Sequence, residues 1–418
     1  MGSLPAMGAA GSMPRMPRLL ARAPLVWALL LGVRSAEAAP PPDELRGLWV
    51  VRTALVSPQS VDRVVDEAAA AGFNALFVQV RGRGDAFYSS RFVSRSSLLW
   101  SQPAAFDPLA RLVLRARAQR LQVHAWVNVL LAAHFGQPLP RGHVLAEHPQ
   151  WIMVPRSVAI AALVASPSRR LQLVAETVRR EGDAEGFYLS PAAEGVAEHL
   201  ERVVRELVRT YPVDGLHLDF IRYPGPSWDY SRFALEGFRQ ARGEGNLLDG
   251  PARNPAGWDE YRRRVLTSLA SRLADAGRVE RPGLVLSAAV APDEAQAVYH
   301  KFQDWPQWLA KGVLGALVPM TYTPDNDIFE LQVEQALART AGAQRVWAGI
   351  GAYRLTVAGI VEKVELARRA GAAGVVIFSH ESLLPGDLQH LRDRAFAATA
   401  AASRTPDGEA GGRVSGAR

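Results

Sequence analysis

Residues 213–224, VDGLHLDFIRYP, put an acid where an acid is costly. They read as a turn at Asp214-Gly215, a short apolar strand, a carboxylate at the strand's C-terminal end, and an Arg-Tyr-Pro loop. Side chains alternate along a strand, so His217 and Asp219 share one face while Leu216, Leu218 and Phe220 take the other. A carboxylate on such a run must be paired or used, because burying it bare is expensive. Asp219 is therefore the first candidate for acid/base or nucleophilic chemistry, with an ion pair to Arg222 as the competing structural reading. Asp214, at the opposite end, reads as a turn former.

Other residues suited to chemistry recur at the ends of apolar runs. They are Arg52, Arg81 and Asp85 (in RGRGDAFY, 81–88), His124, Trp126 and Asn128 (in QVHAWVNV, 122–129), Asp293, Tyr322, Tyr353 and Glu381. Aromatic faces stack on pyranose rings, Asn and Arg hold hydroxyls or acidic substituents, and carboxylates run acid/base steps. Glycoside hydrolysis needs two carboxyls, about 5–5.5 Å apart for retention or about 6.5–9.5 Å for inversion. The partner of Asp219 is sought among Asp293, Glu381 and Asp85. Arg81, Asp85, Trp126, Asn128, His217, Arg222, Tyr322 and Tyr353 form the expected substrate-binding set. His217 and His124 also fit the role of hydrogen-bonded packing histidines, and Asp85 that of a loop cap. No H-x-H or H-E-x-x-H spacing is present, so no metal or cofactor is expected.

The elements that must position these residues alternate in type. Strand patterns fall at 45–52, 75–80, 122–129, within 213–224, and at 284–291, 316–322, 345–353 and 374–379. Helical spacing follows most of them. Ser57-Pro58 and Asp107-Pro108 supply an N-cap with proline in the first turn. The third helix is preceded by a long, irregular region, 130–191, read as a substrate-side excursion after the third strand, with 187–190 as half of a small hairpin. Eight strands, each followed by a helix, match a (β/α)8 barrel better than a doubly wound open sheet, because no Gly-x-Gly-x-x-Gly turn opens the first unit. In such a barrel the working residues gather at the C-terminal ends of the strands. That rule puts Asp219 at the working end and Asp214 at the structural one.

Of the 418 residues, 1–39 read as a signal peptide, 40–400 as the barrel and 401–418 as a disordered tail. Arg15, Arg18 and Arg22 precede the short apolar run PLVWALLLGV, followed by Ala36-Glu37-Ala38, a leader cut near Ala38 or Ala39. Export to the periplasm or exterior follows, without stable membrane insertion. There is no cysteine, which removes disulfides, thiolate catalysis and Cys-bound metals together. The net charge of +7, part of it in the leader, is mild and lacks a Lys/Arg block. It suits a carboxylate-bearing polymer at least as well as a nucleic acid, and no nucleic-acid partner is expected.

The ordered series LRGLWV (45–50), FNALFVQVRGRGDAFYSS (73–90), FDPLARLVLRARAQRLQVHAWVNV (106–129), HPQWI (148–152), YPVDGLHLDFIRYP (211–224), LVPMTY (317–322) and GVVIFSHESL (374–383) resembles the bacterial glycosyl-hydrolase-like ten family. The resemblance implies a TIM barrel, export, and a cell-wall polysaccharide substrate, namely peptidoglycan glycan strands stripped of their peptides. By motif position it supports Arg81, Asp85, Trp126, Asn128, Asp219 and Tyr322 as site residues. The chain departs from the family pattern in having Phe220 beside Asp219 where a second acid is common. It also carries Ser190-Pro191-Ala192 where Asp-Pro-Gly is common, and His380-Glu381 where an acidic pair is common. The expected activity is glycosidic hydrolysis. The alternative is a weak or inactive barrel that binds the same glycan.

Overall fold

The structure, a computed structural model, describes residues 44–182, 184–242, 247–342 and 344–396. The expected leader (1–39) and tail (401–418) lie outside the described residues. Eight parallel strands form a barrel: β1 (Leu45–Val50), β2 (Ala75–Arg81), β3 (Gln122–Asn128), β4 (Gly215–Asp219), β5 (Val285–Val290), β6 (Ala316–Pro319), β7 and β8 (Gly374–Phe378). Strand β7 comes in two pieces, Arg345–Val346 and Ala348–Gly351. Its first piece pairs with β6 and its second with β8, and β8 pairs with β1, which brings the sheet round on itself. The chain is a (β/α)8 barrel, as its strand–helix alternation predicts.

Helices α1 (Pro58–Ala70), α2 (Pro108–Ala118), α3 (Glu194–Thr210), α4 (Pro255–Glu280), α5 (Trp305–Ala310), α6 (Asn326–Leu337), α7 (Val357–Ala370) and α8 (Pro385–Leu391) form the outer ring. The caps read from sequence are formed. Ser57 accepts from the Ser60 amide and Asp107 from the Ala110 amide, each leaving one fewer unsatisfied donor in the first turn. The alternate residues of each strand divide between two apolar layers. Leu48, Leu76, Val78, Val123, Leu216, Leu218, Leu286 and Ile377 pack outward under the helices. Leu45, Trp49, Phe77, Trp126, Val318, Trp347 and Val376 fill the barrel itself.

The barrel interior is aromatic and polar, which explains both histidines. His124 stacks on Phe77 with ring centroids 4.5 Å apart. His217 Nε2 accepts from Trp49 Nε1 at 3.3 Å and its Nδ1 sits 2.9 Å from Ser287 Oγ. Both imidazoles are held neutral, well below the usual histidine range, His124 at about 3, because burial opposes the charged form. His217 is thus a packing residue beneath the site and does not join the substrate-binding set. At the barrel's N-terminal end Asp214 accepts from the Val123 amide at 2.7 Å, tying β4 to β3 as its turn position suggests.

Two excursions rise from the rim. The one after β3 pairs Leu131–Ala133 antiparallel with Phe187–Tyr188, the small hairpin expected there, and carries the helix Pro167–Glu181. A second, after β4, carries Arg232–Arg242 and Asp249–Arg253 and has no clear signal in the strand–helix count. Buried Asp229 joins the two, accepting from the Val154 amide at 3.1 Å and the Ser231 amide at 2.8 Å.

The barrel packing makes one stability test direct. A Cβ at Gly215 would stand 2.1 Å from His124 Nδ1, and that ring is fixed by Phe77. Gly215→Ala is expected to lower the unfolding free energy by about 1–3 kcal/mol in urea titrations. Gly283→Ala, where nothing lies within 4 Å, should stay within about 0.5 kcal/mol of wild type. Equal stability of the two variants would contradict the close packing of this layer.

Candidate active site

The C-terminal mouth of the barrel holds a cavity of about 300 Å³, a size typical of small-ligand sites. Trp126 and Asn128 from β3, Asp219 from β4, and Phe220 and Arg222 just beyond line one side. Trp49, Gln79, Tyr322 and Phe378 line the other. The parallel register sets Asn128 beside Asp219 at the strand ends and Trp126 beside His217 two residues earlier. Tyr322 stacks on Phe378 (5.6 Å, 24°) and meets Trp49 edge-on at 6.3 Å, giving the cavity an aromatic wall.

Asp219 is 6 % exposed. Its Oδ2 accepts from Trp126 Nε1 at 3.0 Å and its Oδ1 from the Phe220 amide at 2.6 Å. Phe220 itself sits in the left-handed region (φ 50°), a conformation uncommon for a bulky residue. Burial raises the Asp219 carboxyl above the ordinary aspartate value, and the Glu185 charge adds to this. Arg222, the Phe220 amide and Trp126 oppose the shift without cancelling it.

Glu185 is the second carboxylate at this cavity. It comes from the excursion after β3, and its side chain is half exposed. Its Oε1 pairs with Arg222 Nη2 at 3.0 Å and its Oε2 accepts from the buried Tyr188 hydroxyl at 2.5 Å. Desolvation works against its charge, but Arg222 and Tyr188 outweigh this and hold it below the ordinary glutamate value. The two acids of one cavity are thus pushed apart, Asp219 toward the protonated form and Glu185 toward the ionised one. Such a split marks an acid and its charged partner.

Of the residues expected from sequence, Asp219, Trp126, Asn128, Arg222 and Tyr322 meet in this cavity. Tyr353, exposed, stands next to it, 6.1 Å from Tyr322 and from Phe378. The others are placed elsewhere. Asp293 is exposed, caps the turn at Gln296 through a 2.6 Å bond to its amide, and faces a separate hollow with Glu294 and Arg339. Glu381 is exposed in the turn His380–Ser382 and lines no part of the cavity, while neighbouring His380 is held outward by Glu67 of α1 at 2.7 Å. Neither is a partner for Asp219. Arg81 is fully buried behind the wall. The β2–β3 register slips between Gln79 and Arg81, so Arg81 lies beside outward-facing Val127 and donates to the Asn128 and Val129 carbonyls. Asp85 accepts from the Arg83 amide at 2.9 Å and lines an adjoining hollow.

Sequence reasoning missed Glu185 and Gln79. Gln79 had a signal: it is a polar residue on the inward face of an otherwise apolar strand. Its Oε1 accepts from Arg52 Nη1 at 3.1 Å and its amide donates to Asn128 at 3.4 Å, while Asn128 donates to the Gly82 carbonyl at 2.8 Å. Glu185 sits in an irregular segment where no periodicity points inward. Among the described residues no group of three or more His, Asp or Glu side chains stands close enough to share a metal ion.

The arrangement defines a TIM barrel with a two-carboxylate, aromatic-walled site at its C-terminal face. The chain belongs to the family described as Glycosyl hydrolase-like 10, whose model matches residues 44–363. It is 23 % identical over 288 residues to the glycosyl hydrolase DigH of Escherichia coli strain K12, covering 65 % of this chain and 59 % of that protein. It is also 23 % identical over 199 residues to the glycosyl hydrolase YngK of Bacillus subtilis strain 168, covering 43 % of this chain and 34 % of that one. The chain therefore spans under two thirds of these relatives' length. In fold it is similar to the PgaB (BpsB) glycoside hydrolase domain of Bordetella bronchiseptica, with a TM-score of 0.61, 15 % identity, and coverage of 84 % of this chain and 99 % of that one. It is also similar to an alpha-L-fucosidase of Paenibacillus thiaminolyticus, with a TM-score of 0.57, 17 % identity, and coverage of 86 % and 49 %.

The raised Asp219 has a consequence for stability. A carboxyl whose folded pKa lies above its unfolded value near 3.8 binds its proton more tightly in the fold, so its contribution is full below that value. It is lost as pH rises through the folded pKa. Wild type should therefore lose stability relative to Asp219→Asn as pH is raised from about 4 to 7, read from paired urea titrations. A relative gain by wild type over that range would reverse the assignment.

Proposed function

We propose that this protein is an exported glycoside hydrolase that cleaves a bacterial cell-wall polysaccharide, the glycan strands of peptidoglycan. The observation that carries the reading is the pair of carboxyls with opposite electrostatics in one aromatic-walled cavity, Asp219 raised and Glu185 lowered. Family membership and the likeness to glycosyl hydrolases support it, and the leader-like pattern before residue 40 supports export.

In this reading Asp219 is the general acid. Its proton passes to the glycosidic oxygen as the bond from that oxygen to the anomeric carbon breaks. Glu185 supplies negative charge at the anomeric carbon, as base toward an attacking water or as nucleophile. Arg222 keeps Glu185 ionised and limits how far the Asp219 proton is held. Trp126 fixes the Asp219 carboxyl and offers its ring to the sugar, with Tyr322 and Trp49 opposite. The Phe220 ring fills the position of a second strand-end acid, so the partner carboxylate arrives from the excursion.

The test is release of soluble fragments from peptide-stripped glycan strands. Asp219→Asn and Glu185→Gln are each expected to lower the rate by about 10²-fold or more. The rate should be bell-shaped in pH, falling on the alkaline side as Asp219 loses its proton and on the acid side as Glu185 gains one. Wild type that binds the strands without cutting them would favour a glycan-binding barrel instead.

A further inference from the structure

Beside the catalytic cavity lies a second hollow of about 520 Å³, formed by the loop after β2 and the excursion after β3. Arg52 and Arg83 line both spaces, so the two make one groove with a pair of guanidiniums at its waist. Neither guanidinium makes an ion pair with a carboxylate among the described residues. Arg52 is held on one side by the Gln79 amide oxygen. Asp85, in the same hollow, is already bonded to the Arg83 backbone amide and offsets the repulsion on Arg52 only in part.

The pair is built into the wall. A Cβ at position 82 would come within 2.7 Å of Arg52 Cδ and 2.8 Å of its Nη1, so Arg52 lies flat across a glycine that leaves it room. Burial and the facing Arg83 charge both disfavour the charged form of Arg52, a repulsion that a bound anion would relieve. Guanidinium forks match carboxylates in geometry, and charge-assisted bonds of this kind are among the strongest available to a site. Further out, Trp100 lines the same hollow with 68 % of its surface exposed, an aromatic face open to a sugar ring.

We propose that Arg52 and Arg83 form a carboxylate-recognising subsite, so that the groove selects a glycan whose sugar next to the cleaved linkage carries a carboxylate over its neutral counterpart. The polymer then runs from Asp219 past the two arginines toward Trp100. This rests on the hydrolase reading of the neighbouring cavity and adds to it the chemical class of the substrate.

The test uses the full chain carrying Asp219→Asn, so that binding is read without cleavage. Two probes are titrated calorimetrically: short peptide-stripped glycan strands with free lactyl carboxylates, and the same strands with those carboxylates reduced to alcohols. The acidic probe is expected to bind about tenfold tighter or better, with the advantage shrinking as salt is raised. Arg83→Gln should bring the acidic probe down to the level of the reduced one. Gly82→Ala should do the same without changing any charge, by displacing Arg52. Equal affinity for the two probes, or an acidic preference that survives both variants, overturns the subsite and leaves the hydrolase reading standing. Binding of neither probe, together with no cleavage by wild type, overturns both.

Discussion

One guanidinium governs the charge state of the cavity at the barrel mouth. Arg222 sits between the strand-end acid and the excursion acid, bonded to Glu185 at 3.0 Å and close enough to Asp219 to pull its carboxyl down. It is 13 % exposed and lies over the Phe220 ring at 4.4 Å, so its position is set by packing as well as by charge. Without it two carboxyls would face each other across a poorly solvated space, and both would be driven toward the neutral form. With it, the better-solvated acid keeps its charge and the buried one retains a proton more readily.

That division depends on how the barrel is filled below. Trp49, Phe77, His124, His217, Trp347 and Ser287 form a dense interior in which His217 is bonded at both ring nitrogens. Trp126 packs into this layer and holds Asp219 one step higher, which leaves the carboxyl little freedom. Pre-organisation of this kind matters most where charge must develop in a fixed direction. The polar chain from Arg52 through Gln79 and Asn128 to the Gly82 carbonyl does the same for the adjoining wall, and it joins the cavity to the groove beyond.

The fold was legible because its signals are local and repeated. Apolar strand runs, Pro-led helix starts and their alternation each follow from short-range physics, and β1 to β8 fall where the runs fall. The site was legible only where a strand delivers it. Asp219, Trp126 and Asn128 end strands whose period of two carries them to the inward face. The strand-end rule failed where a turn intervened, because a residue two or three positions past a strand can point either way. Asp293 turns back to cap the next helical turn, and His380 turns outward to Glu67, leaving Glu381 in solvent. Arg81 shows a subtler failure, since one slipped register between Gln79 and Arg81 exchanges the two faces, and nothing in FVQVRG announces it. Glu185 was invisible for the opposite reason. Its place is fixed by Tyr188, three residues on, and by Arg222, a contact made across the fold that no local pattern announces.

The displaced carboxylate also bears on how such a barrel is assembled. With Phe220 beside Asp219, β4 presents one acid instead of two, and the aromatic ring supports Arg222 from below. The arginine in turn recruits Glu185 from the excursion after β3. That excursion supplies Tyr188 to Glu185 at its base and the outer wall of the neighbouring groove through His134 and His143. A single insertion therefore contributes both the charged member of the acid pair and part of the path along which a polymer would lie. Moving one carboxylate off the barrel strand couples chemistry to the loop that shapes the groove, so the excursion must be seated before the site is complete.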